Sequence, residues 1–283
     1  MRIANVEGRL CLVVAAGFVD VEKASDGRFD SAPELIYARW AEFQSWADTA
    51  PTTDPMPMTN LDRLGPPSPA PSQIFAIGLN YSAHADESGF ATPATHPPVF
   101  TKYVTSLTGP YGAVTVPTGG HTDWEVELVV IIGRHTFQVD EKDAWDYVAG
   151  LTLGQDLSER ILQSAANPPQ FSLGKSYPGF APTGPWLVTA DEFADPDDIG
   201  LRCAVNGEEM QNGRTRDLIF TVPQLVTDLS QVLPLQPGDL LFTGTPSGVG
   251  VGRTPQRFLN PGDELVSSAE TIGELRQRFV SAD

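Results

Sequence analysis

The pattern of strands limits the fold more than any other feature of this sequence. From residue 74 onward, "QIFAIGLN", "AVTVP", "EVELVVIIG", "LRCAVNGEEMQ" and "DLLFTGTP" each read as a short strand, and "LTGPYG", "VPTGG", "LQPGD" and "LNPGD" interrupt the chain with turn-forming Gly and Pro. Helical pattern is sparse. It occurs near residues 141–148, in "LSERILQSAA" at 157–166, in "TVPQLVTDLSQVL" at 221–233 and in "ETIGELRQRFV" at the C-terminus. Helices so widely spaced do not support a doubly wound α/β fold. They fit an α+β chain that is mostly β, with a few peripheral helices.

The first sixty residues read differently. "RLCLVVAAGFVDVEKAS" predicts a hairpin turning at Ala16-Gly17. "SAPELIYARWAEFQSWADTA" predicts a short helix with Ser31 as its cap, Pro33 in its first turn and an apolar face of Leu35, Ile36, Trp40, Phe43 and Trp46. "RLGPPSPAPSQ", residues 63–73, reads as a linker or extended crossing strand between a small N-terminal domain, residues 1–65, and a larger one, residues 66–283. An apolar fraction of 41% over 283 residues is enough for a sizeable core. No apolar run is long enough for a membrane span, and "MRIANVEGRLCLVV" has no secretory signal, so a cytoplasmic protein is expected. Cys11 and Cys203 are far apart and are expected as buried, reduced thiols. The formal net charge of −18 argues against nucleic-acid and anionic-membrane partners.

"TDWEVELVVIIGR", residues 122–134, is a strand with an anomaly. Val126, Leu128, Val130 and Ile132 share one face, and Val129, Ile131 and Gly133 share the other. Glu125 and Glu127 stand at the head of that second face and point the same way. Two adjacent anions are tolerated only where they meet water or positive charge. Either the strand emerges into solvent, or the pair binds a divalent cation such as Mg²⁺, Mn²⁺ or Ca²⁺ with a third oxygen ligand from elsewhere.

Asp156, in "LTLGQDLSERILQ", is the candidate third ligand. It reads equally as the cap of a helix beginning at Leu157 or Ser158. Lys175, in "FSLGKSYPGF", is either a solvated loop lysine or a fixed positive charge beside a substrate oxygen. His84 and Glu87, in "GLNYSAHADESG", share one face of a helical turn, as a surface ion pair or as a base oriented by a carboxylate. "LLFTGTPSGVGVG" runs from a strand into a glycine-rich loop without a P-loop's GK[ST]. Close backbone approach to a ligand, with Thr243 and Thr245 as hydroxyl donors, is expected there. The segment 84–97, poor in apolar periodicity, is expected to be a lid anchored by Phe90.

These segments together resemble the fumarylacetoacetate hydrolase family. The similar stretches are "AIGLNYSAHADESG", "PPVFTKYVTSLTGP", "DWEVELVVIIGR", "VAGLTLGQDLSER", "LGKSYPGFAPTGP", "VNGEEMQNGRTRDLIF", "LQPGDLLFTGTPSGVG" and "FLNPGDEL", in the family's order. The resemblance implies a mixed β-sandwich roll of the fumarylacetoacetate hydrolase C-terminal type with a small N-terminal β-containing domain, usually a homodimer. It places Mg²⁺ or Mn²⁺ on Glu125, Glu127 and Asp156, and chemistry on His84, Glu87 and Lys175. Tyr81, Arg160 and Thr245, within the similar stretches, and Gln163, three residues beyond one of them, are the candidates for substrate contact. Gln155 stands where many members carry Asn, and Pro178 where many carry Asp.

The chemistry such residues support is that of a small anionic 2-oxo acid. The resemblance implies hydrolysis of a carbon–carbon bond in an acylpyruvate or similar 2,4-diketo acid, in catabolism of aromatic compounds or sugar acids. Oxaloacetate decarboxylation, and isomerisation or hydration of a 2-oxo-enoate, use the same stabilised charge. A ligand-binding protein without activity is the remaining reading.

Overall fold

The computed structural model of the chain describes residues 1–59, 61–88, 91 and 93–282. At its centre lies the Val126–Ile132 strand, buried at every position. It pairs antiparallel with Val148–Gln155 on one side and with Leu240–Phe242 on the other. Beyond Val148–Gln155 the sheet continues through Ala181–Val188 and then Arg2–Val6, Arg9–Val14 and Gly17–Asp20; beyond Leu240–Phe242 it continues through Ile74–Ile77 and Val99–Thr101. Leu240–Phe242 runs parallel to Ile74–Ile77, which makes the sheet mixed. A second sheet orders Glu208–Arg214, Gly200–Val205, Glu264–Ala269, Gly273–Ser281 and Tyr111–Val116.

Two cores explain why both faces of the central strand are apolar. Val126, Leu128, Val130 and Ile132 pack between the sheets, with Leu151, Leu153, Leu201, Leu265 and Leu275. Val129 and Ile131 pack on the opposite face against Ile3, Leu10, Tyr37, Trp40 and Phe43 from the N-terminal segment. Burying each such side chain contributes about 1.5–3 kcal/mol. Residues 63–73 are tied in place: Tyr37 Oη donates to Pro67 O at 3.0 Å, and Ser68 Oγ donates to Gly238 O at 2.6 Å.

Several expected elements differ. Val14 pairs with Gly17, so the expected hairpin turns at Ala15-Ala16, one residue earlier than expected. The expected N-terminal helix is a 3₁₀ turn, Pro33–Arg39, leading into a helix at Trp40–Ala47. Ala32, not Ser31, occupies the capping position, and Leu35 is 54% exposed rather than part of the apolar face. Of residues 157–166, only Arg160–Gln163 is α-helical, capped by the Glu159 carboxylate, which accepts from Leu162 N at 2.7 Å. The C-terminal segment is the strand Gly273–Ser281. Leu275, Gln277 and Phe279 are buried while Arg278 and Val280 face out, and that period of two overrides the helical reading. The Val222–Val232 helix forms as expected, with a Thr221–Gln224 capping box. Among the described residues no helix is long and apolar enough to cross a membrane.

Candidate active site

Glu125 and Glu127 sit at the head of the central strand and are only 5% and 1% exposed, so the strand does not emerge into water there. Asp156 directly follows the neighbouring strand, and its backbone N–H donates to Glu125 O at 2.9 Å. The helix beyond it starts at Arg160 and takes its cap from Glu159, which removes the capping reading of Asp156. Antiparallel pairing therefore brings three carboxylates together, each with an oxygen within 4.8 Å of the others.

Basic side chains close around them. Lys175 Nζ donates to Glu125 Oε2 at 2.6 Å and to Asp156 Oδ2 at 2.5 Å. Lys102 Nζ donates to Asp156 Oδ1 at 2.6 Å and to the Lys175 carbonyl. Arg160 NH2 lies 2.8 Å from Glu125 Oε1 and 2.7 Å from Asp123 Oδ2, and its NH1 donates to Gln163 Oε1 at 2.9 Å. Glu127 is treated differently. It accepts a hydrogen bond from Gly244 N at 2.8 Å, and no cationic side chain lies within 4.0 Å of it among the described residues.

The charge states follow. Burial disfavours the Glu125 anion, but the Lys175 ammonium and the Arg160 guanidinium hold its carboxyl well below the usual range. Burial raises Glu127 well above that range, and the neighbouring Asp156 and Glu125 charges push the same way. Burial lowers Lys102, whereas at Lys175 the Asp156 and Glu125 charges outweigh burial and raise it.

This donor set fits a hard divalent cation. Three buried carboxylates are suited to Mg²⁺ or Mn²⁺, and Glu127 has no cationic partner among the described residues to favour its ionised form, a role a divalent ion would fill. Asp123, Glu125, Glu127 and Asp156 cluster with Lys102, Arg160 and Lys175, four formal negative charges against three positive, so the cluster carries an uncompensated carboxylate for a divalent ion to meet.

Above the carboxylates opens a cavity of about 450 Å³, whose walls include His84, Glu87, Glu125, Arg160, Gln163, Lys175 and Thr245. His84 Nδ1 stands 3.7 Å from Glu87 Oε2, outside hydrogen-bond range. Glu87 is anchored instead by Gly248 N, which donates to it at 2.9 Å. Both lie on the Ser82–Ser88 helix at the cavity edge. Phe90, the expected anchor of that segment, lies outside the described residues.

The glycine-rich loop meets the acidic side chains rather than open space. Gly250 N and Val251 N donate to Asp123 at 2.7 and 2.9 Å. A Cβ at Gly252 would overlap the Glu87 side chain, so only glycine lets the loop and the helix approach this closely. Thr243 is not a free donor: it is fully buried, and its hydroxyl donates to Leu128 O at 2.9 Å. Thr245 Oγ1 donates to Val126 O at 2.9 Å while lining the cavity. Tyr81 is not on the cavity wall. It is buried beneath it, and burial together with the Glu127 charge raises its hydroxyl. Pro178 is likewise off the wall. Gln155 ties down the head of the Glu125 strand, accepting from Glu125 N at 2.8 Å and donating to Ser267 Oγ at 2.8 Å.

Sequence reading did not single out Lys102 or Asp123. Composition carried a signal for the first. The chain has four lysines, and two of them, Lys102 and Lys175, are fully buried at these carboxylates.

The chain belongs to the fumarylacetoacetate hydrolase family. Residues 73–280 match the family's model for the fumarylacetoacetate (FAA) hydrolase C-terminal domain. The chain is 45% identical over 218 residues to a 2,4-didehydro-3-deoxy-L-rhamnonate hydrolase of Sphingomonas sp. (strain SKA58), covering 76% of each. It is 38% identical over 226 residues to a mitochondrial oxaloacetate tautomerase of Bos taurus, covering 80% of this chain and 71% of that one. The crystal structure of a candidate HpcE protein from Mycobacterium smegmatis superposes with a TM-score of 0.96 at 53% identity, covering all of both chains. A maleylpyruvate hydrolase from Sphingobium sp. SYK-6, solved with manganese (II) and pyruvate, superposes with a TM-score of 0.79 at 27% identity, also over the full length of both. The chain is thus an enzyme on the fumarylacetoacetate hydrolase fold, among hydrolases and tautomerases.

Proposed function

We propose that this enzyme is a Mg²⁺- or Mn²⁺-dependent hydrolase that cleaves a carbon–carbon bond in an acylpyruvate or related 2,4-diketo acid. The observation that carries the reading is the buried carboxylate triad, which meets the cavity through Glu125, with His84, Glu87 and Lys175 on the cavity walls. Glu125, Glu127 and Asp156 would hold the ion. Bound there, it supplies Lewis-acid stabilisation of negative charge on the oxygens of the 2-oxo acid.

The side chains account for the remaining steps. Arg160 and Gln163, already bonded to each other, bind the substrate carboxylate. Lys175 donates to a carbonyl oxygen as negative charge grows on it. His84 takes a proton from water, and Glu87, moving in from 3.7 Å, fixes the imidazole tautomer. The water oxygen bonds to the distal carbonyl carbon. The bond between that carbon and the methylene carbon breaks, and its electron pair passes to the pyruvate half as an enolate. The methylene carbon takes up a proton, giving pyruvate and the carboxylic acid of the acyl group.

A second reading, proton transfer on oxaloacetate, is favoured by the bovine tautomerase. Supplying the Mn²⁺-loaded enzyme with acylpyruvates and oxaloacetate and identifying the products separates the two, and it also detects decarboxylation. Release of pyruvate and a carboxylic acid is the expected result. Tautomerisation alone would replace the hydrolase reading. The resemblance further supports a cytoplasmic homodimer, which equilibrium sedimentation tests for the oligomer.

A further inference from the structure

Two cationic side chains line the cavity, Arg160 and Lys175, and the reading above assigns Arg160 to the 2-oxo carboxylate and Lys175 to a carbonyl oxygen, which leaves neither for a second anion. Arg160 pairs with Asp123 and Glu125, and Lys175 with Glu125 and Asp156. With a divalent ion bound, the cluster of Asp123, Glu125, Glu127 and Asp156 with Lys102, Arg160 and Lys175 is left with one formal positive charge, which the substrate's own 2-oxo carboxylate neutralises. The rest of the wall offers no further Lys or Arg among the described residues. It is built from Ile161, Pro169, Phe171, Val251 and Phe258, with Ser164, Gln256 and His121 as its polar members. His121 is stacked on Phe258 with ring centroids 4.3 Å apart and planes 9° apart, which presents a flat surface to the cavity. Glu87, the remaining charged residue on the wall, has the wrong sign for an anion.

We infer that the enzyme selects 2,4-diketo acids whose distal acyl group is uncharged, apolar or hydroxyl-bearing, and discriminates against those with a second carboxylate there. The inference rests on the hydrolase reading above. A distal carboxylate entering this space would lose water, find no cation and face Glu87. A neutral chain would lie against Ile161, Phe171 and Phe258, and a hydroxyl on it could bond Ser164 or Gln256.

The test uses two substrates of equal length, 2,4-dioxoheptanoate and 2,4-dioxoheptanedioate, which differ only in a terminal methyl or carboxylate. With the Mn²⁺-loaded enzyme, kcat/KM is measured for both, and Kd for both by titration calorimetry on a His84→Ala variant, in which turnover is strongly slowed. The neutral compound should be favoured by about 10-fold or more in each measurement. Ser164→Arg and Gln256→Arg each add a cation on the wall and should shift the ratio toward the dianion while both compounds still yield pyruvate. Equal or better handling of the dianion by the unaltered enzyme would overturn the inference and leave the hydrolase reading intact. Absence of turnover of both compounds would count against the hydrolase reading, and the Kd ratio would still decide the selectivity.

Discussion

Replacing Lys102 by Met tests whether the cluster is held by charge compensation rather than by packing. Lys102 is fully buried, and its ammonium serves Asp156 Oδ1 at 2.6 Å and the Lys175 carbonyl. Methionine nearly matches its volume, so the loss is electrostatic rather than a cavity. Removing one partner of a buried ion pair costs about 3–5 kcal/mol because the other charge stays buried and uncompensated. Here Lys175 still reaches Asp156 Oδ2 at 2.5 Å, and the contact of Lys102 with the Phe242 ring at 6.0 Å is long. The low end, about 3 kcal/mol, is therefore expected for the metal-free protein. Urea unfolding of metal-stripped and Mn²⁺-loaded protein measures it, with Lys102→Arg, which keeps the charge, as control. Mn²⁺ should return part of the loss to the Met variant by compensating Asp156. A loss below about 1 kcal/mol, the scale of a surface pair, would refute the compensation argument.

Other consequences follow from the same geometry. Glu125→Gln and Asp156→Asn should each lose metal and activity together, read by elemental analysis beside turnover. His84→Ala should retain its metal and bind oxalate while turnover falls by about 10²–10⁴-fold, as for loss of a general base. Gly252→Ala should displace Glu87 and lower kcat by about 10- to 100-fold with metal affinity unchanged, since its Cβ overlaps that side chain. At Asp20, burial opposes ionisation, but the Arg9 hydrogen bond at 2.6 Å holds the carboxyl below its usual range. Asp20→Asn should therefore cost about 1 kcal/mol near neutral pH. A depressed folded value means this stability is present above the ordinary Asp value, about 3.9, so the gap between wild type and variant should close as pH falls below it.

The carboxylate triad was legible because strand geometry is regular. Period two places Glu125 and Glu127 on one side, and pairing of adjacent strands delivers Asp156. The sequence could not show that this end of the strand is buried, since its cover, Lys102, Arg160, Lys175 and the Gly244 backbone, arrives only through long-range folding. Lys102 and Asp123 escaped notice because their roles exist only after long-range folding, 54 and 37 residues from the partners they bond. The C-terminal strand was misread because "ELRQRFV" mixes good helix formers with an alternation that only its neighbours Glu264–Ala269 and Tyr111–Val116 reinforce. Tyr81 lies in a family-like stretch, yet an isolated bridge to Leu218 holds it beneath the wall.

The central claim is that a divalent ion on Glu125, Glu127 and Asp156 enables carbon–carbon hydrolysis. The most direct measurement follows pyruvate and butanoate released from 2,4-dioxoheptanoate by metal-stripped enzyme as Mn²⁺ is titrated in, with Mn²⁺ binding read in parallel for wild type and Glu125→Gln. The account expects the two products in equal amounts, rising in step with occupancy of one site, and neither binding nor products from the variant. Product formation by the metal-stripped enzyme, or full activity in Glu125→Gln, would contradict it.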